Sequence, residues 1–264
     1  MKKKALGGVI LTAVLSVALL AGCGNSQQAE TKTDNKKSDK ELVVVTNATF
    51  PPFESVDTSS GTKKYVGLDI DIANQIASNL GVTLTFNDIA FSGLIGSLMD
   101  GRADFAVSAM SPTEERKKNV DFSDSYFIPR NAILAAKGSN FTALDQMGGK
   151  KIAVVFGTTY EKDAKAIPGA NVVSLDNSTA VIQELNNKRV DAAFIDGSQA
   201  AVFVQKNPEL EFHLLPPTDD SFAFAFPKGS KWVEPFNQEL KKMKENGELD
   251  KLIEKWLGKE FNQQ

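Results

Sequence analysis

From residue 41 onward, apolar positions fall into short runs and helical stripes that alternate along the 264-residue chain. Leu42 to Thr46 is a compact run rich in β-branched side chains, which predicts a buried strand. Ile72, Ala73, Ile76, Ala77 and Leu80 then recur at helical spacing, and Gly81 follows as a stop. Val82 to Phe86 alternates as a strand does. Leu94, Ile95, Leu98 and Met99 mark a second helix before Gly101, and Asp104 to Ser108 predicts the next strand. The same grammar restarts with a strand at Ile152–Phe156, a helix around 158–166 and a strand at Val172-Val173. A helix bearing Ala180, Val181, Ile182 and Leu185 follows, then a strand at Asp191–Ile195. Strands alternating with helices imply an α/β fold with largely parallel sheets.

The two units superpose in sequence. Leu94, Ile95, Leu98, Arg102, Asp104 and Ala106 match Val181, Ile182, Leu185, Arg189, Asp191 and Ala193 at a constant offset of 87 residues. Two related lobes would produce this pattern, as would two helix-to-strand turns that are alike by chance. Ligands of open α/β sheets gather at the carboxyl ends of the strands. Those ends are Ser108-Ala109 and Ile195-Asp196, and the offset makes Ala109 and Asp196 equivalent. Near the C-terminus, Phe236, Leu240 and Met243 form one apolar face. Leu249, Leu252, Ile253, Trp256 and Leu257 form another, and both stripes read as packing surfaces.

The N-terminus follows a different pattern. Lys2, Lys3 and Lys4 precede an apolar run of 15 residues, Leu6–Leu20, and Ala21-Gly22-Cys23 follows. A membrane span needs about 20 apolar residues, so the run fits the core of a signal peptide. The ending resembles the bacterial lipobox, which implies a signal peptide over 1–22 and lipidation of Cys23. Residues 24–40 carry Ala29 as their one apolar side chain. Such a segment cannot offset its ordering entropy by burial, so 23–40 reads as a lipidated cysteine with a flexible tether.

Composition narrows the chemistry. Cys23 is the single cysteine and His213 the single histidine, so neither an internal disulfide nor a His/Cys zinc site is available. His213, between Phe212 and Leu214, reads as a surface or strand-end residue. Loss of 1–22, with three lysines and no acid, takes the net charge from −3 to −6, which offers no footprint for nucleic acid. No metal or cofactor is expected.

The densest chemistry lies between Ser108 and Phe127. Ser111, Pro112 and the acids Glu114 and Glu115 read as a helix start with Ser111 as N-cap. Free N–H groups at such a start can bind a carboxylate, and Arg116 can turn back to clamp it. Arg116 could equally be a structural partner of Asp121 or Asp124.

Four segments carry a family resemblance: Thr46 to Glu54, Val66 to Asp71, Phe91 to Ile95, and Ser111 to Arg116 with Val120 to Ser123. Over essentially all of 41–260 the chain resembles the amino-acid-binding proteins of polar amino acid ABC transporters. That resemblance implies a periplasmic-binding-protein fold of type II, in which two hinged α/β lobes close on an amino acid. It implies lobe 1 as 41–128 plus 226–264 and lobe 2 as 129–225, with hinges near Ile128-Pro129 and Ala225-Phe226-Pro227. Residue by residue, Arg116 matches the arginine that clamps the ligand α-carboxylate, and Ser111 matches a hydroxyl that helps hold both ligand charges. Ala109 stands where a small residue offers its carbonyl to the ammonium, with Ser108 lining the same strand end. Asp196 matches the second-lobe carboxylate that pairs with the ammonium. Thr159 matches a backbone N–H that reaches the ligand carboxylate, and Phe50 and Phe91 match aromatics that flank its side chain. Asn47 replaces the acid that several relatives for basic or amide side chains carry. It favours an uncharged polar ligand and leaves arginine or lysine open through Glu54 or another acid.

The resemblance further implies a monomeric receptor that delivers a free amino acid to a membrane permease, held beside it by the lipid anchor. The chain has no GxxxxGK[ST] loop, so the ATPase is expected to be a separate partner. Two other classes share these features: a dehydratase-like enzyme on the same fold, and a lipoprotein that senses or adheres without transport.

Overall fold

The computed structural model describes residues 41–259. The signal peptide, Cys23 and the tether expected from the sequence lie outside the described residues. In chain order, β1 (Glu41–Thr46) leads through β2 (Thr49–Phe50), β3 (Glu54–Asp57) and β4 (Lys64–Val66) into α1 (Leu68–Leu80) and β5 (Thr83–Asp88). Next come α2 (Leu94–Met99), β6 (Phe105–Met110), α3 (Glu114–Lys117) and β7 (Val120–Phe122). The chain then crosses to β8 (Asn131–Ala136), β9 (Lys151–Val155), α4 (Thr159–Lys165), β10 (Asn171–Leu175), α5 (Ser178–Asn186), β11 (Ala192–Asp196), α6 (Gly197–Lys206) and β12 (Leu210–Leu214). It returns as β13 (Ala223–Pro227) and closes with α7 (Val233–Glu245) and α8 (Glu248–Leu257).

Two five-stranded sheets result, in the orders β5-β1-β6-β13-β7 and β10-β9-β11-β8-β12. They correspond position by position. In each, three parallel strands are followed by an antiparallel one at the fourth place. The 87-residue repeat sits at the middle of both. The Asp104 N–H donates to the Val43 carbonyl at 2.8 Å, and the Asp104 Oδ2 accepts the Val43 N–H at 2.7 Å. Asp191 and Lys151 make the same pair of bonds at 2.9 and 2.7 Å. Each aspartate thus fastens the start of the central strand to its neighbour, and the likeness of the two units is structural as well as sequential.

Around the first sheet, Phe105, Phe224 and Phe226 surround the ring of Phe236 from α7, with centroids 4.9 to 5.5 Å away. Phe236, Leu240, Met243, Leu249, Ile253 and Leu257 are all buried in this core, so the two C-terminal stripes pack inward as their pattern predicts. Gly81 caps α1 in the left-handed region at φ 66°, where a glycine carries no Cβ penalty. His213 lies one residue from the end of β12 and is partly exposed, as its sequence context suggests.

Two expectations need correction. The return crossing is not at Ala225-Phe226-Pro227, because β13 pairs with β6 and with β7 and belongs whole to the first sheet. A lobe boundary at 225/226 would cut that strand. The chain instead crosses back before Phe222, whose N–H donates to the Phe127 carbonyl at 2.8 Å, so the two crossing segments pair with each other. The helix after β6 also starts later than Ser111. Its N-cap is Thr113, whose hydroxyl accepts the Arg116 N–H, while the backbone at Ser111 is still leaving the strand.

Candidate ligand cavity

A small cavity lies between the two sheets, at the carboxyl ends of β6, β9 and β11. Eight of the nine ligand-binding residues expected from the sequence bear on it directly: Asn47, Phe50, Phe91, Ser108, Ala109, Ser111, Arg116 and Thr159 line it. Asp196 stands immediately behind, between the lining residues Ile195 and Gln199.

The first sheet and its loops supply most of the wall. The Arg116 guanidinium is buried and stacks over the Phe91 ring at 5.2 Å. Its Nη1 donates to the Ser111 carbonyl at 2.8 Å, and its Nη2 donates to the Gly157 carbonyl at 2.9 Å on the far side of the cleft. The alternative pairing with Asp121 is not formed, because Asp121 accepts from Lys228 and from the Gly229 N–H. Burial brings the guanidinium down to about 10, still charged at neutral pH. The Ser111 hydroxyl donates to Asp220 at 3.0 Å. Ala109 holds a left-handed backbone at φ 43°, rare for a residue with a Cβ, and its N–H donates to Asp69 at 2.7 Å. Such strain needs a surround that enforces it and gathers at functional sites.

The remaining first-lobe residues are interlocked. The Ser108 hydroxyl donates to Glu54 at 2.8 Å and accepts the Asn47 N–H at 3.1 Å. Asn47 does not stand free as a side-chain reader. Its Nδ2 donates to the Ile89 carbonyl at 2.9 Å and its Oδ1 accepts from Thr49, so the amide ties the loop after β1 to the one after β5. Phe50 packs against the cores of both sheets, and so does Phe91.

The second sheet contributes Asp196 and the start of α4. Asp196 ends β11 and caps α6, its Oδ1 accepting the Ser198 and Gln199 N–H groups at 2.7 and 3.0 Å. Its Oδ2 has no donor, and the side chain is 0% exposed. Burial outweighs the capping bonds and raises its carboxyl to about 7. Thr159 opens α4, where first-turn N–H groups lack intrahelical acceptors.

Sequence reasoning missed several cavity residues. Tyr160 and Gln199 line the space with Tyr160 Oη and Gln199 Oε1 left without partners. Gln199 Nε2 donates to the Ser178 hydroxyl at 3.0 Å. Only their adjacency to Thr159 and Asp196 could have signalled them. Asp69, beneath Ala109, sits in the first turn of α1, where acids are common for reasons unrelated to a site.

Chemically, the cavity joins one buried guanidinium to a buried carboxyl with a free oxygen, and flanks both with aromatic rings. Among the described residues, no group of three or more His, Cys, Asp or Glu side chains is arranged to hold a metal.

Known proteins resemble this chain in sequence and in fold. The family described as bacterial extracellular solute-binding proteins, family 3, matches residues 42–259. The arginine-binding extracellular protein ArtP of Bacillus subtilis is 32% identical over 255 residues, which cover 94% of this chain and 96% of that one. An ancestral arginine-binding protein solved with arginine is 40% identical, with a TM-score of 0.79 over 83% of this chain and 98% of its own. An ancestral arginine-binding protein solved with glutamine is 39% identical, with a TM-score of 0.79 over 84% of this chain and 99% of its own. With a two-lobed α/β fold and a match that spans nearly every described residue, the chain belongs to the bacterial extracellular solute-binding proteins of family 3.

Proposed function

We propose that this chain is the extracytoplasmic amino-acid receptor of an ABC importer, and that Arg116 and Asp196 hold the two backbone charges of its ligand. One observation carries the reading. A guanidinium whose bonds run to carbonyls and a carboxyl oxygen without a donor, both buried, flank one cavity from different lobes. Each charge lacks a full partner there, and burying unpaired charge is costly. A zwitterionic amino acid supplies both complements at once.

In this reading the ligand carboxylate takes the Arg116 guanidinium, aided by the Ser111 hydroxyl and the Thr159 N–H. The ammonium lies against Asp196 and the Ala109 carbonyl beside Ser108. Phe50 and Phe91 flank the side chain, and Asn47 shapes the loop that carries Phe50. The lobes close by bending at the paired crossings near 128–130 and 216–221, so that 41–127 with 222–259 moves against the rest. The protein binds without turnover, acts as a monomer, and passes its cargo to a permease driven by a separate ATPase. Cys23 carries the lipid, and 24–40 let the receptor reach the permease from the outer face of the membrane.

A thermal-shift screen of the full chain against the common amino acids tests the proposal. A ligand at 100 times its dissociation constant stabilises the folded state by about 2.7 kcal/mol, which raises the melting temperature by several degrees. A well-folded chain that responds to none of them would contradict it.

A further inference from the structure

Ser111 lines the cavity, is 4% exposed, and takes its partner from a distant part of the chain. Its hydroxyl donates at 3.0 Å to the Oδ2 of Asp220, 109 positions further on, in the segment that crosses back to the first sheet. The other carboxyl oxygen of Asp220, Oδ1, accepts the Ser221 N–H at 2.8 Å, and the Asp220 N–H donates to the Thr218 hydroxyl at 3.3 Å. Those two local bonds shape the turn before Phe222. The bond to Ser111 serves no turn: it leaves the crossing segment and ends on a residue of the ligand cavity. Asp220 stands behind that residue rather than in the cavity wall.

The direction of this bond fixes what Ser111 can do. A hydroxyl has one proton and two lone pairs, and a carboxylate only accepts. With the proton committed to Asp220, the Ser111 oxygen has lone pairs left for the cavity. A ligand carboxylate, itself only an acceptor, finds no proton there. A ligand ammonium finds a complement. It brings three N–H groups. The proposed reading gives it two acceptors, the donor-free Oδ2 of Asp196 and the Ala109 carbonyl. Ser111 supplies the third.

We propose that Asp220 is a positioning residue of the ligand site: by taking the one proton of the Ser111 hydroxyl, it makes that group an acceptor and assigns it to the ligand ammonium. The inference rests on the amino-acid-receptor reading and sharpens it at one atom. It moves the Ser111 hydroxyl from the carboxylate end of the ligand to the ammonium end, and leaves the carboxylate to Arg116 and the Thr159 N–H. The ammonium is then tied through Ser111 to the segment that crosses between the lobes.

Calorimetric titration of the full chain in mild detergent tests this, the probes being the common L-amino acids that raise its melting temperature. Asp220→Asn is the decisive variant, because its one amide oxygen cannot accept from both Ser221 and Ser111. With that oxygen on the Ser221 N–H, the amide nitrogen donates to Ser111 and turns the serine proton toward the ammonium. Affinity should fall about tenfold or more. Asp220→Ala, which leaves the hydroxyl free to rotate, should cost less. In a Ser111→Ala background, the further change Asp220→Asn should alter affinity by less than about twofold, whereas a merely structural role would cost the same in both backgrounds. Binding by Asp220→Asn within about threefold of the native chain would overturn the inference and leave the receptor reading standing, as would a loss of about tenfold that persists in Ser111→Ala. The N-methyl forms of the same amino acids need only the native chain, so they decide the matter even if the variants fold poorly. With two N–H groups for three acceptors, they should bind at least about tenfold more weakly than their parents, and binding within about threefold would overturn the inference. Failure of every amino acid to bind a folded chain would overturn both readings.

Discussion

The Arg116 guanidinium donates to the Gly157 carbonyl across the cleft at 2.9 Å, while its other arm holds the Ser111 carbonyl on its own side. One side chain therefore both anchors the proposed carboxylate site and ties the first lobe to the second. Ligand capture and lobe closure become one event, because the group that would bind the ligand is the group that spans the cleft.

Gly157 tests the closure side of this coupling. Its φ of 82° suits glycine, and a Cβ there would stand 3.3 Å from the Ser92 Cβ on the opposing lobe. Gly157→Ala should strain the closed form by about 1–2 kcal/mol, from the left-handed backbone and the tight approach together. Affinity measured by calorimetry should fall roughly tenfold or more, with near-native circular dichroism. Unchanged affinity would show that this approach does not limit closure.

Stability without ligand should depend on pH in a direction opposite to that of most acids. Burial raises the Asp196 carboxyl to about 7, above its unfolded value near 4, and Asp69 and Glu54 shift the same way. Between those values the folded state binds more protons than the unfolded one. These groups therefore contribute stability that is present below about pH 4 and is lost as pH rises through about 7. Denaturant midpoints should be higher at pH 5.5 than at 8, and Asp196→Asn should flatten the difference by an amount on the order of a few kcal/mol. A midpoint that rises steadily across this range in the native chain would contradict the burial argument.

Phe236 tests the packing of the C-terminal helices. It is fully buried among Phe105, Phe224 and Phe226, so Phe236→Ala should cost about 3–5 kcal/mol in denaturant unfolding. Loss of less than about 1 kcal/mol would mean that α7 adds little to the first core.

Cys23 is tested by fractionation. Cys23→Ser should release the receptor from the membrane into the soluble fraction without altering the affinity of the folded body. Retention of the variant in membranes would remove the case for a lipid anchor.

Much of the fold was legible because its elements have clear periods. The Asp104 and Asp191 motifs could be read as a repeat since each aspartate performs one local task, tying a central strand to its neighbour. Ala225-Phe226-Pro227 reads as a hinge in the sequence but ends a strand, and the alternating side chains Ala223, Phe224, Ala225 and Phe226 are all buried, on both faces of the first sheet. A strand buried on two faces lacks the polar positions that advertise an edge or a turn. Arg116 and Ser111 stood out because a helix-start signal and a family motif coincide there. The true cap, Thr113, was obscured by the Ser-Pro pair just before it, which carries the same signal. Asp69 and Glu54 gave no local sign of their burial, because it depends on α1, β3 and β6 meeting, with Asp69 15 positions after Glu54 and Ser108 39 positions further on. Tertiary proximity of that kind leaves no trace in periodicity.

The most direct test of the central claim is calorimetric titration of the native chain and of Arg116→Ala with the amino acid that gives the largest thermal shift. The native chain should bind one equivalent. The variant should lose about 2–5 kcal/mol of affinity, enough to take micromolar binding out of the measurable range. Binding by Arg116→Ala within threefold of the native chain would contradict the role assigned to Arg116, and with it the account of how this cavity holds an amino acid.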